Sequence, residues 1–503
     1  MSNAERRATL EGYWPWLAFF LIVAGTRFLL IAHYGTETPM EDEWHFIGHQ
    51  FFEPYLAGQL RLADLFALAN EHRIVTTRLY ELLTLKLDGG VWSPVQQMIG
   101  NALIQAAAVT GLTRLLLRSC PAAYRQVYFL FSLVLWGLPL AVENVLVGYQ
   151  TQFYLLILFS YVFLWALVSA RLFSRLWWVG MACGVLGLFT MAAGALTLFC
   201  GALFLGLRVA RLGGCRSDGV LMLVLLGVVA VAMANTPSGH APWINPVREV
   251  AWAFLQVCAW PAYTGTAVAW QGFIALAIIL YGPVAYFFWV QLRRPPAATD
   301  ESWFALAMAL WVLAQLFAIS YERTHSLLVT RYNDVYVIGL LLAFLFALRR
   351  EGGLAERRAA KPEAERAPPP YMTFSQLWVL VVLVSTIHYC TFLVHELDKK
   401  MVWAPLPEQN VRGYLQTRDY AWLADKSFPD IPYYDQPALK SMLDNPDIDA
   451  LLPPNLVPAN AERQPMPLRE LTAHLGAIGM ALLLAGVLCL GVYGWRRPKD
   501  STG

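Results

Sequence analysis

Residues 13–45 read YWPWLAFFLIVAGTRFLLIAHYGTETPMEDEWH. An apolar run from Tyr13 to His33 is followed within a few residues by three consecutive carboxylates, Glu41, Asp42 and Glu43. The run follows Arg6 and Arg7 and is too long and too aromatic for a cleaved signal peptide, so it reads as a retained membrane span. Comparable runs recur at about 96–117, 126–142, 151–170, 177–193, 195–210, 219–234, 267–292, 303–320, 333–348, 376–395 and 473–494. Each approaches the length that crosses a hydrocarbon core about 30 Å thick. The expected fold is therefore an all-α polytopic membrane protein of about twelve transmembrane helices. Gly194 marks either a tight turn between two spans or a kink in one.

Composition agrees. The 503 residues are 57% hydrophobic and 14% charged, against roughly a quarter charged in soluble chains. Disorder is excluded. A formal charge of +2 offers no basic face to nucleic acid, and seven cysteines make no disulfide framework.

Orientation follows from Lys and Arg in the short connections. Arg114, Arg118, Arg171, Arg208, Arg293, Arg349, Arg350 and finally Arg496 and Arg497 fall on one side at every alternation. Both termini are then cytoplasmic. The chain divides into a transmembrane bundle (1–349) with an outer loop at 35–95, a cytoplasmic linker (350–372), a span (373–395), an outer segment (396–471), and a last span with its tail (472–503). The linker has no apolar periodicity.

The first outer loop carries nine acidic residues against four basic ones. Two amphipathic helices fit it, each placed along the membrane surface. In the first, Trp44, Ile47, Phe51 and Tyr55 share an apolar face, and Glu41, His45, His49 and Glu53 a polar one that ends at Pro54. The second runs from an Asn70 cap to about Leu87, with Ile74, Val75, Leu79, Leu82 and Leu83 on its apolar side. Acidic residues at a helix start have an ordinary reading as partners of the helix dipole. Glu71, His72, Arg73 and Arg78 lie in the same loop, however, so carboxylates able to act as a base and arginines able to hold a phosphate occur together.

A first span followed by a large outer loop that opens on an acidic pair resembles the GT-C superfamily of membrane glycosyltransferases, which use polyprenyl-phosphate-linked sugars. That family includes protein mannosyltransferases and the aminoarabinose transferase acting on lipid A. The resemblance covers about eleven spans as an architecture, and its motif is short: Asp42 with Glu43 or Glu41. It implies Asp42 as the catalytic acid, with Glu43 and Glu41 as rivals. It also implies a polyprenyl-phosphate sugar donor, an acceptor outside the cytoplasmic (inner) membrane and an outward-facing site. The portion after the bundle is unlike the tetratricopeptide or β-rich outer domains of some members.

Candidate phosphate holders are Arg73, Arg78, Arg323 and Arg331, with snorkelling at span ends as the alternative for the last two. His72, Tyr332 and Glu143 are candidate substrate contacts. Glu143 breaks an apolar stretch together with Asn144, Gln150 and Gln152, where an ionisable group is costly unless it faces a cavity. His45 and His49, one turn apart and one turn after Glu41, could hold a divalent metal with His72, although no cofactor is required. The outer segment, with eleven of the 29 prolines and Trp403, Tyr433 and Tyr434, reads either as an acceptor-recognition element or as a passive lid. The loop 235–266, with Trp243, Trp252 and Trp260, reads as interfacial. Two other functions fit the span pattern: a flippase of lipid-linked glycans, or a non-enzymatic partner in polysaccharide assembly. The ions cluster at loops and span ends, and no internal repeat marks a transporter.

Overall fold

The computed structural model describes residues 3–212, 216–235, 246–263, 270–293, 301–324, 327, 329–362 and 371–496. Among the described residues the chain is helical and forms no strand; one isolated bridge joins Ala69 and His72. Nine described helices are long and apolar enough to cross a membrane. This is the architecture of an integral membrane protein.

Three of the twelve expected spans fall outside those nine. Arg125–Gly137 has 13 residues and Arg175–Leu188 has 14, about 20 Å at 1.5 Å per residue, short of a hydrocarbon core. Asn333–Ala359 is long enough, but Asp334, Arg349 and Arg350 bound its apolar stretch. That stretch is nonetheless the buried axis of the bundle: every residue from Asn333 to Leu348 is buried. Residues 350–359 of the segment read as a linker continue this helix, and Glu351 accepts bonds of 2.7 Å from both the amide and the hydroxyl of Ser375.

Small residues set the closest helix contacts, as expected where lipid removes the hydrophobic drive between helices. The first helix (Asn3–Tyr34) packs along the last (Leu475–Arg496) at Gly25, Gly479 and Gly486, where a Cβ would press on the opposite backbone. Gly194 proves to be a turn. The helices Arg175–Leu188 and Gly194–Leu212 meet there so closely that a Cβ would overlap the Gly187 carbonyl.

Trp243 lies outside the described residues. Trp260 does not sit at an interface; it is buried between Tyr336 and Tyr389, with ring centroids at 5.5 and 5.3 Å. Trp252 packs edge-on against Phe273.

The first loop and the segment 396–471, hereafter the cap, share one core at one end of the bundle. Trp44, Ile47, Phe51 and Phe52 pack with Val411, Tyr414, Ile431, Leu439 and Leu452. The apolar face of the loop's first helix is therefore covered by protein. Phe46 and Gly48 on its other faces are buried as well. A cap of this size is too small for an ample core of its own, and sharing one with the loop resolves that.

Within the bundle, Arg27 of the first helix is 1% exposed and donates to Gln105 at 3.0 Å. Gln105 in turn donates to Asp334 at 3.0 and 3.1 Å. Asn144 donates to the Arg331 carbonyl at 2.8 Å and to Asp334 at 3.4 Å. This chain of bonds fixes the start of the buried axial helix, and with it the position of Arg331.

Candidate active site

Three adjacent carboxylates receive three different environments. Glu43 is buried, and each of its oxygens accepts a backbone amide: Met40 at 2.6 Å and Tyr149 at 3.0 Å. Burial outweighs those bonds and raises its pKa to about 7. It ties the loop to the segment before Thr151–Ser169. Glu41 has φ +50°, in the left-handed region that is uncommon for a side chain other than glycine, and its amide donates to Pro432 of the cap at 2.6 Å. Asp42 stands between them at the start of the following helix, half-buried.

That helix, Glu43–Phe52, is wound as a π-helix, a rare form that occurs often at functional sites. It continues without a break as an α-turn, Glu53–Leu56, so the run does not end at Pro54, which forgoes one amide bond inside a continuous helix. The wider winding brings residues five apart into register, so His45 pairs with Gln50 at 3.0 Å. His49 instead bonds Glu53 at 2.6 Å. The proposed metal face of Glu41, His45 and His49 thus does not assemble, and no three His, Cys, Asp or Glu among the described residues gather in a way that could hold a metal ion.

Asp42 and Glu41 open into a cleft of about 440 Å³ between the first loop, the turn at 142–150, residues 329–331 and the end of the helix Phe374–Trp403. Its other ionic residues are Glu143, Arg331, Glu396, Lys399 and Lys400. Arg331 pairs with Glu143 at 3.0 Å, and Lys399 with Glu396 at 2.7 Å. Lys400 donates to the Leu146 carbonyl at 3.3 Å, and no described carboxylate lies within ion-pair distance of it. Burial raises the pKa of Asp42, opposed by Arg331, His45 and Arg323. Burial likewise raises Glu41, helped by Glu143 and Asp42. Glu143 is raised by burial against the pull of Arg331 and Lys400. The result is a carboxylate more basic than usual, facing cations.

The other expected residues separate. Arg331 lines this cleft; Arg323 lies near Tyr332 and close enough to affect the charge on Asp42. Arg73 belongs to a second, mostly apolar cavity of about 800 Å³ with Glu71, and its guanidinium donates to the Phe66 and Asn235 carbonyls at 2.9 and 2.7 Å. His72 is mostly buried, accepts from the Ala192 amide at 3.4 Å, and has its pKa lowered by burial despite Glu71.

Arg78 is not among the residues that line the cleft. It is fully buried and donates to the carbonyls of Asp64, Leu65 and Ala67 and to Gln50. Its helix, Val75–Leu87, starts after Ile74, not at Asn70, which occupies a left-handed turn position at φ +51°. Thr77, Arg78 and Glu81 face inward, while Leu79, Leu83 and Leu87 are 50–61% exposed. Arg78→Met should therefore lower stability by about 1–3 kcal/mol, because several buried carbonyls lose their donor. Thermal unfolding in detergent would read this loss. An unchanged melting temperature with weakened donor binding would return Arg78 to the site.

Lys400 escaped the sequence reading because it falls just beyond an apolar run, within HELDKK, where a basic residue reads as a span anchor. Only the fold brings residues 42, 143, 331 and 400 together.

The long apolar helices and the ion-lined cleft at their capped end define a polytopic membrane protein with a polar cleft at the edge of its bundle. Among solved structures, the chain is similar to the apo crystal structure of the Archaeoglobus fulgidus oligosaccharyltransferase, with 13% identity and a TM-score of 0.47. The match covers 83% of this chain and 59% of that one, so the chain spans about three fifths of its length. No family model and no curated protein matches the chain.

Proposed function

We propose that the protein is a membrane glycosyltransferase that takes a sugar from a polyprenyl-phosphate carrier and transfers it to an acceptor outside the cytoplasmic membrane. The observation that carries the reading is that Asp42 shares one cleft with Arg331 and Lys400.

Depth supports it. Lys400 lies five residues, about 7 Å of helix, past the apolar run 376–395, which is the depth of a lipid headgroup. Arg331 immediately precedes the buried axial helix. A lipid phosphate entering from the bilayer would meet both cations.

Asp42 is the proposed base. As the acceptor oxygen bonds to the anomeric carbon, its proton passes to the Asp42 carboxylate. The bond from that carbon to the phosphate oxygen breaks on the opposite face, inverting the centre, and polyprenyl phosphate leaves with both electrons. Lys400 and Arg331 hold the phosphate charge in a site of low dielectric, where such contacts are strongest. Glu41 and Glu143 surround the site without a transfer step of their own.

The test is purified full-length protein in liposomes supplied with a panel of polyprenyl-phosphate hexoses. Release of polyprenyl phosphate, by transfer or by slow hydrolysis, is the expected product. Movement of intact carrier between leaflets with no release would overturn the reading in favour of a flippase.

A further inference from the structure

The second cavity, of about 800 Å³, is large enough for a ligand and takes no part in binding the donor phosphate. Its walls are the end of the helix Arg175–Leu188, the turn that follows, and the last two turns of the helix Arg216–Ala234. Val185, Leu188, Phe189, Ala195, Val228 and Met233 line it, and all are apolar. The first loop forms its roof. Phe66 packs edge-on against Phe189 at 5.3 Å, and the Thr76 amide donates to the Phe189 carbonyl at 3.2 Å. The ionic residues of this lining are Glu71 and Arg73.

Position decides what can fill the cavity. The helix Arg216–Ala234 is long and apolar enough to span a membrane, and Val231 and Met233, which line the cavity, are 64% and 67% exposed, so this wall is open to lipid. A space bounded in this way at hydrocarbon depth is entered from the bilayer, and a hydrocarbon chain is what it accepts. The chain of a polyprenyl-phosphate donor has another place. The cleft at Asp42 reaches the bilayer along a different helix, Phe374–Trp403, at Phe392 and Leu393, about two turns before Lys400.

Charge separates the two spaces as well. Lys400 has a carbonyl and no described ion-pair partner in its cleft, whereas this cavity holds one acid and one base, and the Arg73 guanidinium already serves two carbonyls. A phosphate here would face Glu71. A hydroxyl suits both signs, because it donates to a carboxylate and accepts from a guanidinium. Glu71 also lies close enough to act on the charges of Asp42 and Arg323, so the roof of the cavity adjoins the transfer site.

We propose that this cavity seats the hydrocarbon chains of the acceptor, and that the acceptor is a glycolipid whose uncharged, hydroxyl-bearing head passes Glu71 and Arg73 toward Asp42. The inference rests on the glycosyltransferase reading and adds to it the class of acceptor. Two lipids then enter by separate helices: the donor beside Phe392 and Lys400, the acceptor beside Val228 and Met233. A hydroxyl of the acceptor head gives its proton to Asp42 as its oxygen takes the anomeric carbon, and polyprenyl phosphate leaves.

Photo-crosslinking on the full-length protein in phosphatidylcholine nanodiscs tests the site without requiring turnover. The probe is a diglucosyl diacylglycerol with a diazirine at mid-chain, compared with phosphatidylcholine carrying the same diazirine. The glycolipid should label residues 185–195 and 228–235 in preference to phosphatidylcholine, and farnesyl phosphate should not displace it. Labelling should fall about three- to tenfold in Val228→Trp, whose ring fills the cavity, and persist in Val220→Trp, at an exposed position of the same helix outside the lining. Equal labelling by phosphatidylcholine would make the cavity a seat for bulk lipid, displacement by farnesyl phosphate would make it the donor's, and either result, or no label at these residues, would overturn the proposal. Glycolipid-specific labelling that Val228→Trp abolishes, without any donor cleavage, would uphold the lipid site and overturn the transferase reading instead.

Discussion

Asp42→Asn is expected to lower turnover by about 10²–10⁴-fold, the usual contribution of a positioned base, while donor KM changes little. Asparagine keeps the shape and the hydrogen-bonding reach but cannot accept a proton at neutral pH. In the wild-type protein the rate should rise with pH through the Asp42 pKa, because only the ionised form acts. That limb should lie above the ordinary aspartate range, since burial outweighs the pull of Arg331, His45 and Arg323. The residual rate of Asp42→Asn should lack it. Glu41→Gln and Glu43→Gln separate the neighbours. Glu41 lines the cleft, so its loss should act modestly on rate. Glu43 anchors the loop through two amides, so its loss should show in folded yield. A full rate in Asp42→Asn, or an acid limb that survives in it, would remove Asp42 from the chemistry.

Much of this fold can be read from the chain, for a physical reason. Membrane crossing needs a long apolar helix, and Tyr13–His33 or 303–320 are recognisable from length and composition alone. The apolar face of Trp44, Ile47 and Phe51 was legible too, because periodicity reports which residues seek burial. It does not report the partner. Those side chains meet residues some 370 positions away, in the cap, and that separation in sequence carries no pattern.

The helix Val75–Leu87 shows a sharper limit. In water its leucines would turn inward; beside lipid they can turn outward, and Leu79 and Leu83 do, leaving Arg78 and Glu81 inside. Periodicity identifies two faces without saying which one meets the core. The candidate arginines were indistinguishable for the same reason. Arg78 and Arg331 have the same chemistry in the sequence, and only the carbonyls around one and the cleft around the other tell them apart. The π-winding of Glu43–Phe52 was likewise invisible, and with it the contact of His45 with Gln50, five residues on.

Lys400→Met is expected to raise donor KM by about 10–100-fold, as when a charge-assisted contact worth about 1.5–3 kcal/mol is lost. Of the cleft cations, Arg331 and Lys399 already have carboxylate partners at 3.0 and 2.7 Å, whereas Lys400 has a carbonyl at 3.3 Å. An incoming phosphate would therefore find Lys400 available, and Arg331 through the terminal guanidinium nitrogens that its Nε contact with Glu143 does not use. The acids oppose this. Glu41, Glu43 and Glu143 all lie near enough to Lys400 to affect its charge, and a lysine that served only to neutralise them would also be damaging to lose. The two roles differ in what they move. A counter-ion role predicts that Lys400→Met lowers stability and shifts the pH profile, with donor KM unchanged. A phosphate role predicts that inhibition by farnesyl phosphate weakens in parallel with donor KM, while farnesol, which lacks the phosphate, binds as before. Lys400→Arg separates them further: it restores charge in either case, but its flat guanidinium needs room beside Leu146, so recovery of KM requires a ligand that can accept from it. If farnesyl phosphate inhibits Lys400→Met as well as it inhibits the wild type, Lys400 is a counter-ion, and the holding of the phosphate passes to Arg331.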